Sequence, residues 1–176
     1  KYILSSLWSA SEGSFILWTI WHAILGVVLI FTSKKWVAPV MTVLSLAQVC
    51  LATMMLGIYI FGIKIGANPF ALFREQMPDL PAFQFADYAT RIKDGNGLNM
   101  LLQNYWMVIH PPVLFMGFAS TLIPFSFIVA GLWTKKFGEA LKPALPWWLF
   151  SMAFLGVGIM MGAAWAYESL AFGGYW

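Results

Sequence analysis

Four long apolar segments, at residues 14–31, 36–63, 111–133 and 147–167, leave this chain few ways to fold. Each is close to or above the roughly 20 residues that carry a helix through about 30 Å of hydrocarbon. Inside lipid every backbone N–H and C=O must be satisfied within the protein, so such runs become helices that pack side by side. Composition agrees, because 61% of the residues are hydrophobic and only 10% charged, whereas soluble domains run near half apolar and a quarter charged. The expected fold class is all-α, a polytopic integral membrane bundle of about four transmembrane helices plus one external segment. At 176 residues nothing is left for a compact soluble core beside those spans.

The organisation read from this pattern has three parts. Residues 1–63 hold two N-terminal spans, 64–104 an extracytoplasmic segment rich in Pro, Asn, Asp and Gln, and 105–176 two further spans. Orientation follows from the basic residues, which concentrate in short cytoplasmic loops because they resist translocation. Lys34 and Lys35 follow the first span, and Lys135, Lys136 and Lys142, against Glu139, follow the third. The long segment balances Lys64, Arg74, Arg91 and Lys93 with Glu75, Asp79, Asp87 and Asp94, so it belongs on the far side. The net charge of +3 is therefore a matter of topology and calls for no nucleic acid. A single cysteine, Cys50, excludes intrachain disulfides and Cys-x-x-Cys chemistry, and its apolar surroundings make it a packing residue. A chain that opens on Lys1 and closes on Trp176 inside an aromatic run reads as a piece of a longer protein.

The most informative stretch is Trp106 to Pro112, ending in His110-Pro111-Pro112. Proline suits the first helical position and biases the residue before it away from the helix. That predicts a span starting at Pro111, with His110 just ahead of it. The 23 residues from there to Trp133 span roughly 34 Å, which leaves His110 at the outer interface. A neutral imidazole there can ligate haem iron or another metal, or simply hydrogen-bond to water and headgroups. His22 falls near the middle of the first span, where donation to a neighbouring backbone carbonyl is the economical role.

On the side of the membrane that His110 faces, Trp165, Tyr167, Phe172, Tyr175 and Trp176 surround Glu168, Gly173 and Gly174. Interfacial Trp and Tyr belts are common. Glycines set among large rings go further, since they let backbone approach a flat ligand on which the rings stack. Gly158 and Gly162 read as small-xxx-small helix packing.

Taken together these residues resemble the haem-handling membrane proteins of cytochrome c maturation, the CcmF/CcsA group, and its CcmF-like members in particular. The resemblance runs in order along the chain: Glu12-Gly13-Ser14 with Leu17-Trp18, Asn68-Pro69-Phe70, and Gly97 to Gln103 leading into Ile109-His110-Pro111-Pro112. Gly158 to Gly162, Trp165-Ala166-Tyr167-Glu168 and Gly173-Gly174-Tyr175-Trp176 are similar to the approach to the family's tryptophan-rich WWD motif. The resemblance implies a multi-pass protein of the bacterial inner membrane that holds haem b at the periplasmic or external face for thioether attachment to apocytochrome c. It would act as the haem lyase component, with a haem chaperone and other maturation membrane proteins as partners, and the fragment alone would be inactive. His110 would be an axial ligand to the haem iron. Trp165, Tyr167, Gly173, Gly174, Tyr175 and Trp176 would form the platform, with Glu12, Pro111, Pro112 and Glu168 supporting the motifs. No catalytic acid or base is implied, since orientation and iron ligation suffice.

The chain departs from the family at Ser11, where CcmF relatives often have His or Gln, and at Phe172, where many members have Trp. It also stops before the Trp-Asp of the motif and before the span that would carry the partner histidine. His22 matches no family role. Two other classes stay open: a quinone-binding subunit, which calls for a charged relay that the interiors of spans two to four lack, and a haem transporter with broken helices.

Overall fold

The computed structural model describes residues 2–91 and 97–169. Four helices dominate it: α1 (Ser11–Thr32), α2 (Val37–Thr53), α3 (Tyr105–Trp133) and α4 (Phe137–Ser169). A 3₁₀ turn at Lys34–Trp36 leads into α2, and with it each of the four is long and apolar enough to cross a membrane. The expected all-α class and four spans are what the fold contains. At 29 and 33 residues, α3 and α4 measure roughly 43 and 50 Å, more than the hydrocarbon requires, so their ends project beyond it.

α2 ends at Thr53, ten residues short of the boundary at 63 drawn from hydropathy. Beyond it, Ile58–Ile60 (β1) and Ile63–Ile65 (β2) pair as an antiparallel hairpin, with Ile60 opposite Ile63. Phe61 and Gly62 both have positive φ, the two-residue turn that matches strand twist. Alternating isoleucines are as apolar as a span, so hydropathy runs through them, yet β-branched residues flanking such a turn favour strands. Short helical turns at Phe73–Gln76, Pro81–Gln84 and Tyr88–Arg91 follow, joined by edge-on contacts of Phe83 with Phe73 and Tyr88.

α3 is the central helix, touching α1, α2 and, most extensively, α4. The α3–α4 contact is close because glycines face it. A Cβ on Gly117 would lie 2.8 Å from the Leu155 backbone nitrogen, and one on Gly158 2.8 Å from the Leu114 Cα. Gly158 is therefore a packing glycine, as its spacing from Gly162 suggested. The core lies toward the end where α1 leads into α2 and α3 into α4, around Leu29, Val40, Ile123 and Phe127. At that end Lys35 and Glu139 form an exposed ion pair across the two connections.

Candidate functional site

His110 lies within α3 rather than ahead of it. The helix begins at Tyr105, where the Asn104 side chain accepts the Trp106 backbone N–H at 2.9 Å, and it continues through Pro111 and Pro112. The reluctance of a residue before proline to be helical is a bias, and here it is overruled. A proline inside a helix lacks the N–H that would engage the carbonyl four residues back, a loss of about 3 kcal/mol or more. For Pro111 that carbonyl belongs to Met107, and the Trp8 indole N–H donates to it at 2.9 Å. Trp8 and Met107 are both buried, so the bond is shielded from water. A side chain from the N-terminal segment thus replaces the missing donor and lets α3 start two turns earlier than the prolines alone would predict.

That extension turns the His110 ring toward α4. Its Nδ1 lies 2.8 Å from the Gly158 carbonyl oxygen. A carbonyl can only accept, so the proton sits on Nδ1 and Nε2 retains its lone pair. Gly162, one turn further along α4, makes the room: a Cβ there would fall 2.7 Å from His110 Cε1 and 3.1 Å from Nε2. Trp165 comes next on the same stripe. Its ring is inclined only 17° to the imidazole at a centroid distance of 6.5 Å, and its Nε1 points to the Leu101 carbonyl at 3.4 Å.

Asn104 joins the helix ends around this site. While its Oδ1 caps α3, its Nδ2 donates to Ser169 Oγ at 2.9 Å and to Glu168 Oε2 at 3.4 Å. Glu168 is therefore engaged with the start of α3, and Tyr167 is mostly exposed. Phe172, Gly173, Gly174, Tyr175 and Trp176 lie outside the described residues. Glu12, in the first turn of α1, is not beside His110. It lines a cavity of about 310 Å³ with Gly13, Asn68 and Pro69, so two stretches that resemble the family come together there.

His22 occupies a different setting. It is 2% exposed, and its Nδ1 lies 3.1 Å from Gln48 Oε1 of α2. Gln48 Nε2 donates in turn to the Thr19 carbonyl at 3.2 Å, which orients Oε1 toward the ring and makes Nδ1 the donor. Nε2 is buried without a hydrogen-bond partner among the described residues, and the Ala119 backbone of α3 adjoins the ring. Thus His22 ties three helices together, its Nδ1 proton directed to a side-chain amide of α2. Among the described residues no group of three His, Cys, Asp or Glu side chains could hold a metal ion.

Trp8 and Asn104 went unrecognised in the sequence. Asn104 carried a signal, since Asn directly before an apolar run is a common cap. Trp8 carried only an indirect one, namely that a proline at 111 leaves the Met107 carbonyl in need of a donor.

The profile of the family described as "Cytochrome C assembly protein" matches residues 8–176. Proteins named cytochrome c-type biogenesis protein CcmF are 33% identical in Pseudomonas fluorescens, 34% in Pseudomonas aeruginosa and 30% in Escherichia coli, each over 99% of this chain. In each case the chain spans 24% of the relative's length. No solved structure matches.

Proposed function

Because the chain belongs to the cytochrome c assembly protein family, we propose that it forms part of a membrane protein that holds haem for attachment to apocytochrome c, with His110 as an axial ligand to the iron. The observation that carries this reading is the bond from His110 Nδ1 to the Gly158 carbonyl, which presents Nε2 as an unprotonated donor. Ligating histidines characteristically donate their other ring nitrogen in this way, which sets tautomer and orientation and raises ligand basicity. The donor set therefore fits haem iron on the His110 side.

Bound haem would supply the vinyl groups to which the apocytochrome thiols add. The work of this chain is positional. Gly158 sets the imidazole tautomer, Gly162 leaves space for the ring, and Trp165 lies nearly parallel beside it as the described edge of an aromatic platform. On the strength of the family resemblance, Gly173, Gly174, Tyr175 and Trp176 continue that platform, haem b is the form held, and a haem chaperone and other maturation membrane proteins are the partners. Lys34, Lys35, Lys135, Lys136 and Lys142 lie at the opposite end of the bundle from His110, and the positive-inside bias supports a site on the periplasmic face of a bacterial inner membrane. Asn104 keeps the ends of α3 and α4 in register, so the ligand and the platform share one geometry.

The test is an absorption spectrum of the full-length protein with and without His110→Ala, reduced and then exposed to imidazole. Loss of haem that imidazole partly restores is the expected result. Unchanged haem content and spectrum would overturn the assignment.

A further inference from the structure

At the end of the bundle remote from His110, the connection between α1 and α2 and the first two turns of α4 border an open cavity of about 820 Å³. Lys34, Lys35 and Lys142 line it, together with Ser33, Trp36 and Glu139. Lys35 is paired with Glu139, whereas Lys34 and Lys142 enter no ion pair among the described residues. The cavity therefore carries two uncompensated positive charges. Gly138, in the first turn of α4, also lines it and adds the positive end of a long helix. The independent sign of a ligand is Ser33. It is 6% exposed, and its Oγ is buried with no hydrogen-bond partner among the described residues. A buried hydroxyl is ordinarily satisfied.

We propose that this cavity binds the phosphate of an anionic phospholipid headgroup, held by Lys34 and Lys142 and, once its side chain rotates toward the cavity, by the Ser33 hydroxyl. Basic pockets between helices at a cytoplasmic membrane face suit such headgroups. A lipid is favoured over a free phosphate because apolar surface adjoins the charges. Phe31, two residues before Ser33, is 81% exposed, and Leu145, three residues after Lys142 and deeper along α4, is 54% exposed. Acyl chains lie against such surface while the headgroup stays with the lysines, whose own stems snorkel to the interface.

The experiment places the full-length protein in nanodiscs of phosphatidylcholine with a minority of phosphatidylglycerol, extracts it in mild detergent and weighs the retained lipids by native mass spectrometry. Phosphatidylglycerol should be retained in preference to phosphatidylcholine. The Lys34→Gln/Lys142→Gln double variant should retain about thirtyfold less, given the attraction of roughly 1 kcal/mol per lysine near a surface. Lys34→Arg/Lys142→Arg should keep it, which separates charge from folding. Ser33→Ala should lower retention a few-fold. Lys135→Gln/Lys136→Gln removes two charges at the same end that do not line the cavity and should leave retention intact. If it lowers retention as much as the cavity variant, the attraction belongs to the whole surface and the site is refuted. Displacement of the lipid by excess inorganic phosphate would overturn the lipid assignment in favour of a soluble anion, and equal retention of both lipids would refute it outright.

Discussion

The two histidines of this chain donate through the same nitrogen to oxygen atoms on neighbouring helices, yet their surroundings prepare them for different work. His22 is buried, bonded to a side-chain amide on α2, set against the backbone of α3 and bordering a cavity of about 360 Å³. His110 is half-buried at a helix end, bonded to a backbone carbonyl that cannot rotate away, with a glycine beneath the ring and an indole beside it. An imidazole becomes a ligand when one nitrogen is held rigidly and the other is left with space. It becomes a structural tie when both are enclosed. Residue type does not separate the two cases; depth in the membrane and the residues on the facing helix do.

The sharpest way to break this comparison is to exchange its members' fates. His110→Ala in the full-length protein should reduce retained haem at least tenfold, whereas His22→Leu should leave haem content unchanged in the protein that reaches the membrane; the pyridine haemochrome assay reads both. Equal losses would mean that the two settings do not differ in function. Gly162→Val comes next. Its Cβ would fall 2.7 Å from His110 Cε1, so haem retention should drop several-fold while α4 still inserts, and a normal haem content would show that the ring has somewhere else to go.

Smaller effects probe the scaffold. Trp8→Phe keeps the ring but deletes the donor to the Met107 carbonyl, and should cost about 1–2 kcal/mol in thermal unfolding in detergent. Pro111→Ala restores a backbone N–H to that carbonyl, so in its presence the cost of Trp8→Phe should shrink. Additive effects in that double-mutant cycle would discard the substitution of one donor for the other. Least of all, Gln48→Leu should destabilise by about 0.6 kcal/mol, the average for side-chain hydrogen bonds inside membranes, and should leave the haem spectrum alone.

Much of this architecture is legible in the sequence. Lipid selects by length and composition, and those are properties of segments, so the four spans could be read from hydropathy. The limits of that reading are equally physical. The stretch Ile58 to Ile65 is apolar enough to extend α2, and only the positive-φ turn at Phe61 and Gly62 makes it a hairpin. His110 was legible as a candidate because an imidazole beside a double proline is unusual. Its placement inside α3 was not, since the donor that rescues the helix is 99 residues away in the chain.

The sequence by itself determined that this chain is a bundle of membrane-spanning helices, which end carries its lysines, and which histidine and aromatic residues could meet a flat ligand. Those are consequences of hydrophobicity, charge and side-chain chemistry, each carried by short stretches. Tertiary structure alone decided which nitrogen of His110 holds the proton, that Gly162 leaves its ring space, and that Trp8 makes the proline tolerable. Each of these depends on an atom from another helix or a distant segment standing within about 3 Å, a distance at which hydrogen bonds and steric contacts act and which linear order does not specify.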